Sequence, residues 1–282
     1  MLTHPLPDLA AWTAWFSDAP IPVLAATAEE LELLERVEAM RGDVDAHQLV
    51  EPVRHDPLMS LRLLATVAQL RRQRGSGDSG GPETVTAALV MMGIGPFFGA
   101  FSGLPQVEVQ LASQPEALAG LQRVIRRAHR AANFSVAFAV HRMDGDAEVL
   151  QLVALLHDFA EMLLWCHAPA LALEIARRQQ ADPSLRSELA QRQLLNIDLL
   201  TLQQALMHAW ALPDLLVRIA DDSQAAQPQV QNVVLAIRLA RHTEDPLRGW
   251  QNPAVPDDLA AIAQLLNLSP GAAEALVHSI DG

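Results

Sequence analysis

Apolar residues recur every three to four positions along most of the chain, and Ala and Leu dominate these stretches. This spacing places apolar side chains on one face of an α-helix, and both residue types are strong helix formers. The pattern therefore predicts an all-α fold with no sheet of three or more strands. Helices are expected over residues 9–16, 28–40, 46–54, 57–72, 116–142, 147–166, 169–180, 184–210, 213–221, 230–241 and 257–266, and from residue 270 onward.

Two segments depart from this pattern. The Gly- and Ser-rich stretch 75–81 is predicted to be the most mobile internal loop, because closely spaced glycines do not hold a packed element. Residues 87–107 carry no charge and resemble a membrane span, but glycines and Pro96 interrupt them. We predict a buried helix, a turn and a second helix in this segment rather than a membrane-spanning helix.

Charge narrows the classes of function. The chain has 20 basic and 33 acidic residues, a net charge of −13, and every basic residue is Arg. Without lysine the chain cannot form a Schiff base or use a phosphate-binding lysine. The negative charge disfavours nucleic acids and anionic membranes as partners. Because Cys166 is the single cysteine and the N-terminus lacks an apolar signal segment, we expect a soluble, cytoplasmic protein.

The candidate site is the dipeptide His157-Asp158, which lies within a strongly apolar predicted helix. A neutral imidazole and a carboxylate are suitable ligands for a divalent metal, and His129 on the preceding predicted helix is the natural third ligand. The same pattern is also typical of a core histidine that is hydrogen-bonded to its own Asp or to a backbone carbonyl. The residues by themselves leave both interpretations open.

The order of several short motifs resembles the HDOD family, the HD-related output domains of bacterial signalling proteins. The resemblance covers residues 21–280. It rests on Ile21-Pro22, Asp56-Pro57-Leu58, the segment 85–93, His129, Leu155-Leu156-His157-Asp158, Trp210-Ala211-Leu212-Pro213 and Ile219. It implies an all-α fold in which a small N-terminal helical bundle, residues 1–115, packs on an HD-like helical core with C-terminal helices, residues 116–282.

The resemblance also implies a ligand set. Phosphohydrolases of the HD type hold a metal with a His, a His-Asp pair and a later Asp, and His129, His157 and Asp158 match the first three of these. Where HDOD proteins commonly show two histidines, this chain has Asp221-Asp222, either of which could supply a fourth ligand.

Ala160 and Glu161, which come shortly after the His-Asp pair, also depart from the pattern of active relatives. These relatives often have Gly and Lys where this chain has Ala160 and Glu161. A lysine there would neutralise phosphate charge, whereas a carboxylate repels a phosphorylated substrate. These departures from the family pattern favour the prediction that the protein has no catalytic residue.

The resemblance and these departures together predict a non-catalytic signal-transduction module that acts through a signalling protein partner or a bound small ligand such as a nucleotide. We expect no resident cofactor. The alternative is an HD-type phosphohydrolase that acts on a nucleotide or a cyclic dinucleotide with a divalent metal. A third interpretation is a ligand-sensing domain that keeps a pocket between its two bundles and has lost the metal. The candidate metal ligands are His129, His157, Asp158, Asp221 and Asp222.

Overall fold

The computed structural model describes residues 1–75, 80–182, 184–245 and 247–281. Within these ranges the chain is helical, apart from loops and one isolated parallel bridge between Val23 and Gln106, which confirms the all-α prediction. The α-helices are α1 (Leu9–Asp18), α2 (Ala25–Arg41), α3 (Ala46–Arg54), α4 (Pro57–Gln73), α5 (Val85–Met92), α6 (Ile94–Phe101), α7 (Val107–Gln110), α8 (Pro115–Arg142), α9 (Ala147–Leu156), α10 (Phe159–His167), α11 (Pro169–Ala181), α12 (Ser187–Leu195), α13 (Leu199–Ala209), α14 (Asp214–Ile219), α15 (Pro228–His242), α16 (Val255–Leu266) and α17 (Pro270–Asp281).

The two segments that departed from the helical pattern have different outcomes. Most of the Gly-rich loop, residues 76–79, lies outside the described residues, so its mobility stays a prediction. The uncharged segment forms α5 and α6 joined at Gly93, which confirms two helices with a turn. The prediction that this pair is buried is wrong for its outer surface, where Val90 is 68% exposed.

The helix predicted over 147–166 is two helices, because the chain turns at His157 and Asp158 between α9 and α10. Among the described residues, the stretch Ala147–His167 is long and apolar enough to cross a membrane by length and composition. However, 89% of its apolar window is buried inside the protein. A central helical segment of a protein core has these same properties.

The helix predicted over 184–210 is also divided, into α12 and α13. Asn196 ends α12 in the left-handed conformation, with φ of 64°, which Asn tolerates better than most residues. Asp198 begins α13, since its side chain accepts a hydrogen bond from the backbone N–H of Thr201 at 2.8 Å. These are ordinary stop and start signals, and they outweigh the continuous apolar periodicity.

Contacts within the chain define two compact units, each built from two segments. The first unit comprises Met1–Val124 and Asp158–Pro213. The second comprises Ile125–His157 and the chain from Asp214 onward. The subdomain boundary between residues 115 and 116 stays a prediction.

A completely buried carboxylate organises the N-terminal part of the first unit. Asp56 accepts hydrogen bonds from the backbone N–H groups of Leu58 and Met59 at 2.9 and 3.0 Å, and so caps α4. Its other oxygen accepts a hydrogen bond from the N–H of Leu24, just before α2, at 2.8 Å. Pro57 occupies the first helical position, where its missing N–H costs nothing. One side chain therefore fixes where two helices begin.

The N-terminal helix α1 is held in the first unit by aromatic side chains. Trp12 and Phe16 stack with ring centroids 5.7 Å apart and are buried, and the Trp12 indole donates a hydrogen bond to the Leu195 carbonyl at 2.9 Å. The ring of His167 in α10 meets that of Phe16 edge-on, and its Nε2 lies 2.9 Å from the Pro20 carbonyl oxygen. These contacts join α1 and the segment after it to α10 and α12.

The second unit is joined by polar contacts between its helices. Ser135 in α8 places its Oγ 2.9 Å from Asn232 Oδ1 in α15 and 3.2 Å from the Leu150 carbonyl oxygen in α9. The Arg130 guanidinium donates two hydrogen bonds to the Asp281 carboxylate, at 2.7 and 2.6 Å, near the end of α17. These contacts hold α9, α15 and α17 against the part of α8 that belongs to the second unit, residues 125–142.

We predict that Asp56→Ala lowers the free energy of unfolding by about 3 kcal/mol or more, because two buried backbone donors and one partly buried donor lose their acceptor. Asp45→Ala is the matched control, since Asp45 caps α3 from an exposed position and its loss should cost about 1 kcal/mol. Urea denaturation of both variants measures the difference. Equal losses would contradict the role given to Asp56.

We also predict that the stability of the protein depends on pH because His167 binds a proton less readily in the folded state. Burial lowers the pKa of this imidazole below its ordinary value of 6.5, and the nearby positive N-terminus acts in the same direction. Below pH 6.5 the unfolded chain therefore binds a proton that the folded chain does not. The stabilisation is complete above this pH and is lost as the pH falls towards the folded pKa.

The measurement is the difference in the free energy of unfolding between about pH 7.5 and about pH 5.5, which bracket the histidine range. His167→Gln keeps an amide that can donate to Pro20 but does not titrate, so the difference should be smaller in this variant. An identical difference in both proteins would show that other groups carry the pH dependence.

Candidate functional site

His157 follows the last residue of α9 and is buried, with a residue exposure of 5%. Its backbone N–H points to the Ala154 carbonyl at 3.5 Å, a tightened last turn that ends the helix. Its Nε2 lies 3.0 Å from Oδ1 of Asp222. Both residues belong to the second unit. The structure thus brings together two of the five predicted site residues, 65 positions apart in the chain.

The neighbouring carboxylate of Asp221 has a different role. It accepts hydrogen bonds from the backbone N–H and the hydroxyl of Ser223, at 3.0 and 2.6 Å, and from the Gln224 side chain at 2.9 Å. These bonds, led by the one from the Ser223 hydroxyl, lower the pKa of Asp221. Asp221 caps the short 3₁₀ turn Asp222–Gln224, which leaves Asp222 to reach the imidazole.

The remaining candidate ligands are His129 and Asp158. Asp158 precedes α10, is buried, and accepts a hydrogen bond from the Met162 N–H through its backbone carbonyl at 3.1 Å. It belongs to the first unit, whereas His129 is half-buried on α8 in the second unit. Their convergence with His157 on one metal ion stays a prediction.

The arrangement of donor atoms can be compared with what a resident metal requires. Catalytic metal sites typically have three protein ligands, and structural sites have four. His157 and Asp222 supply two donor atoms, and no group of three or more His, Cys, Asp or Glu side chains in the described part of the chain is placed to hold one ion. Whether this protein holds a resident divalent metal stays a prediction.

Glu161 lies in the first turn of α10, one turn after His157 in the sequence. It is half-buried, and its Oε1 lies 3.5 Å from Nε1 of Trp165 on the same helix. The side chain is thus a carboxylate held against an aromatic ring. A carboxylate carries negative charge, whereas phosphoryl transfer needs positive charge.

A second histidine–carboxylate pair, which the sequence analysis missed, lies in the second unit. Asp258 is completely buried in the first turn of α16, and its carboxylate contacts Nδ1 of His242 and, at 2.6 Å, Nη2 of Arg238. The two partners lie near the end of α15. The signal that could have found this cluster is an acidic first turn following a helix with a basic last turn. Its geometry indicates an ion pair that joins two helices.

Comparisons with known proteins agree with this architecture. The HDOD domain model matches residues 22–226. Among solved structures, the chain is similar to the MmoQ response regulator from Methylococcus capsulatus str. Bath, with 16% identity, coverage of 93% of this chain and 99% of that chain, and a TM-score of 0.63. It is also similar to a virulence factor from Campylobacter jejuni subsp. jejuni, with 18% identity, coverage of 97% and 92%, and a TM-score of 0.61.

A search of curated proteins finds no match. At these identities the two structural relatives show a common fold and nothing more. The family model is more specific, because it covers well over half of the chain and includes the predicted motifs from Pro22 to Ile219. This protein therefore belongs to the HDOD domain family.

Proposed function

We propose that this protein is a non-catalytic signal-transduction module of the cytoplasm, which acts through a protein partner or a bound small ligand. Membership of the HDOD family supports a signalling-related role. One structural relative is a response regulator, which agrees with such a role. The net charge of −13 favours proteins or small molecules over nucleic acids as partners.

The observation that carries this proposal is the hydrogen bond between His157 and Asp222. A buried imidazole without a partner would lose the hydrogen bonds that it makes with water. Asp222, in the same unit, supplies a hydrogen-bond partner for Nε2 of His157. A contribution to stability is therefore a sufficient role for this pair. On this proposal the motif is a structural remnant of an HD-type site, and signals pass through surfaces elsewhere.

The second candidate is an HD-type phosphohydrolase that acts on a nucleotide or a cyclic dinucleotide. The same contact favours it in one respect, since the 3.0 Å separation of Nε2 and Oδ1 is also that of two adjacent ligands of one ion. An ion would have to replace the hydrogen bond and recruit His129, Asp158 or Asp221. The carboxylate of Glu161 in place of a basic residue weighs against the turnover of phosphorylated substrates.

The two candidates differ in what added metal does. The purified full chain is incubated with Mn²⁺ or Fe²⁺ and assayed with bis-p-nitrophenyl phosphate and cyclic dinucleotides, with His157→Ala as the matched control. We expect no turnover above that of the variant and less than one equivalent of bound metal by elemental analysis. Turnover that His157→Ala abolishes would overturn the proposed function and establish the phosphohydrolase.

A double-mutant cycle measures the His157–Asp222 contact directly. We predict that, without added metal, the losses of unfolding free energy caused by His157→Ala and Asp222→Ala are non-additive by about 1 kcal/mol. The reason is that either single change already removes the same partly buried hydrogen bond. Urea denaturation of the wild type, both single variants and the double variant provides the four values. Additive losses would show that the bond does not stabilise the fold.

A further inference from the structure

A groove lies between three helix ends of the second unit. Its volume is about 620 Å³, which is within the range of ligand pockets in proteins. It is bounded by the ends of α8 and α16 and by the start of α15, and all of its lining residues belong to the second unit. The lining includes Arg142, Met143, Gln231, Gln264, Leu265 and Asn267. The groove is therefore a feature of one compact body.

Two residues of the lining have a backbone conformation that favours glycine. Met143 follows α8 with φ of 59°, and Asn267 follows α16 with φ of 54°. Each ends its helix with the hydrogen-bonding pattern in which glycine is usual. Asn tolerates this conformation, but a long apolar side chain is an outlier there, and Met143 is 89% exposed, so packing does not hold it in place. Strain that the fold does not require is typical of residues that serve a binding site.

The polar side chains of the groove have hydrogen-bonding capacity to offer. Nε of Arg142 lies 3.1 Å from Oδ2 of Asp144, which orients the guanidinium and leaves its two Nη groups for a second acceptor. Gln231, Gln264 and Asn267 add three amides, each of which can donate and accept. In the part of the chain that the structure describes, these three side-chain amides make no hydrogen bond to another protein group.

This lining favours one class of ligand. The two Nη groups of an arginine bind a carboxylate or a phosphate, and amide side chains pair with peptide groups, which also present one donor and one acceptor. Among the described residues of the lining, no aromatic ring is present on which a nucleobase could stack. The lining has a single cation in a chain of net charge −13, which disfavours a polyphosphate. A peptide with one carboxylate fits these groups best.

We propose that this groove binds a short extended peptide segment of a partner protein, in which an acidic side chain follows an apolar one. The acidic side chain pairs with the Nη groups of Arg142, and the peptide groups on either side of it reach the three amides. The apolar side chain lies against Met143 and Leu265. This inference rests on the proposed function, since it identifies the surface through which the module meets a protein partner.

Side-chain amide signals of the ¹⁵N-labelled full chain report on the groove directly. The probe is acetyl-Ala-Leu-Asp-Ala-amide, and the control peptide has Asn in place of Asp, which keeps the shape and removes the charge. We expect the Asp peptide to shift the signals of Gln231, Gln264 and Asn267, and the Asn peptide to bind about tenfold more weakly. Arg142→Gln should remove this preference. Arg218→Gln, which changes an exposed arginine elsewhere in the second unit, should leave it unchanged.

Met143→Gly separates a binding role from a structural one. Glycine relieves the left-handed backbone, so this variant should unfold at a higher urea concentration than the wild type. It also removes an apolar side chain from the groove, so it should bind the Asp peptide about threefold more weakly. The matched control is Ala211→Gly, at a left-handed position of the first unit, which should gain stability without a change in binding.

Equal binding of the two peptides to the wild type, or unchanged binding of the Asp peptide by Arg142→Gln or Met143→Gly, would overturn the proposal. So would adenosine monophosphate that shifts the three amide signals at a lower concentration than the Asp peptide does. These outcomes are separate from the test of the proposed function. Phosphodiesterase turnover that depends on His157 would overturn the non-catalytic role and leave the peptide result standing, whereas a silent assay with no peptide binding would overturn the groove alone.

Discussion

Every polar side chain that enters the interior of a helical protein has to find a partner there, because water does not reach it. In this chain the partners come from distant parts of the sequence. Asp56 binds the backbone before α2, His167 meets the Pro20 carbonyl, and Asp222 satisfies His157. Apolar periodicity leaves helices free to slide and rotate against one another. These few directional bonds fix where helices begin and end, and the candidate site is one of them.

Much of the helical architecture could be predicted from periodicity and end signals. The N-cap of Asp56 and the Pro that follows place the start of α4 correctly. The break at Asn196 was missed, although Asn at a helix end followed by an N-capping Asp198 is a usable signal, because apolar residues continue on both sides. The break at His157 has a weaker signal, because Asp158 stands at the N-cap position of α10 without a side-chain capping bond.

The site was predictable in part and only through the order of its motifs. That order selected His157 and two adjacent carboxylates far along the chain, but it could not choose between them. The structure chooses Asp222, since Asp221 is engaged by Ser223 and Gln224. Which of the two carboxylates reaches His157 depends on the conformation of the short turn Asp222–Gln224, which Asp221 caps. The exposure of Val90 on α5 was also beyond sequence reasoning, because an uncharged segment suggests burial until its neighbours are known.

The central claim is that His157 is satisfied by a protein carboxylate and does not serve as a metal ligand. Imidazole resonances of the ¹⁵N-labelled protein, recorded while Mn²⁺ is added to one equivalent, test it most directly. The account predicts that the signals of His157 broaden no more than those of His55, an exposed histidine of the first unit. Selective loss of the His157 signals at one equivalent of Mn²⁺ would contradict the account.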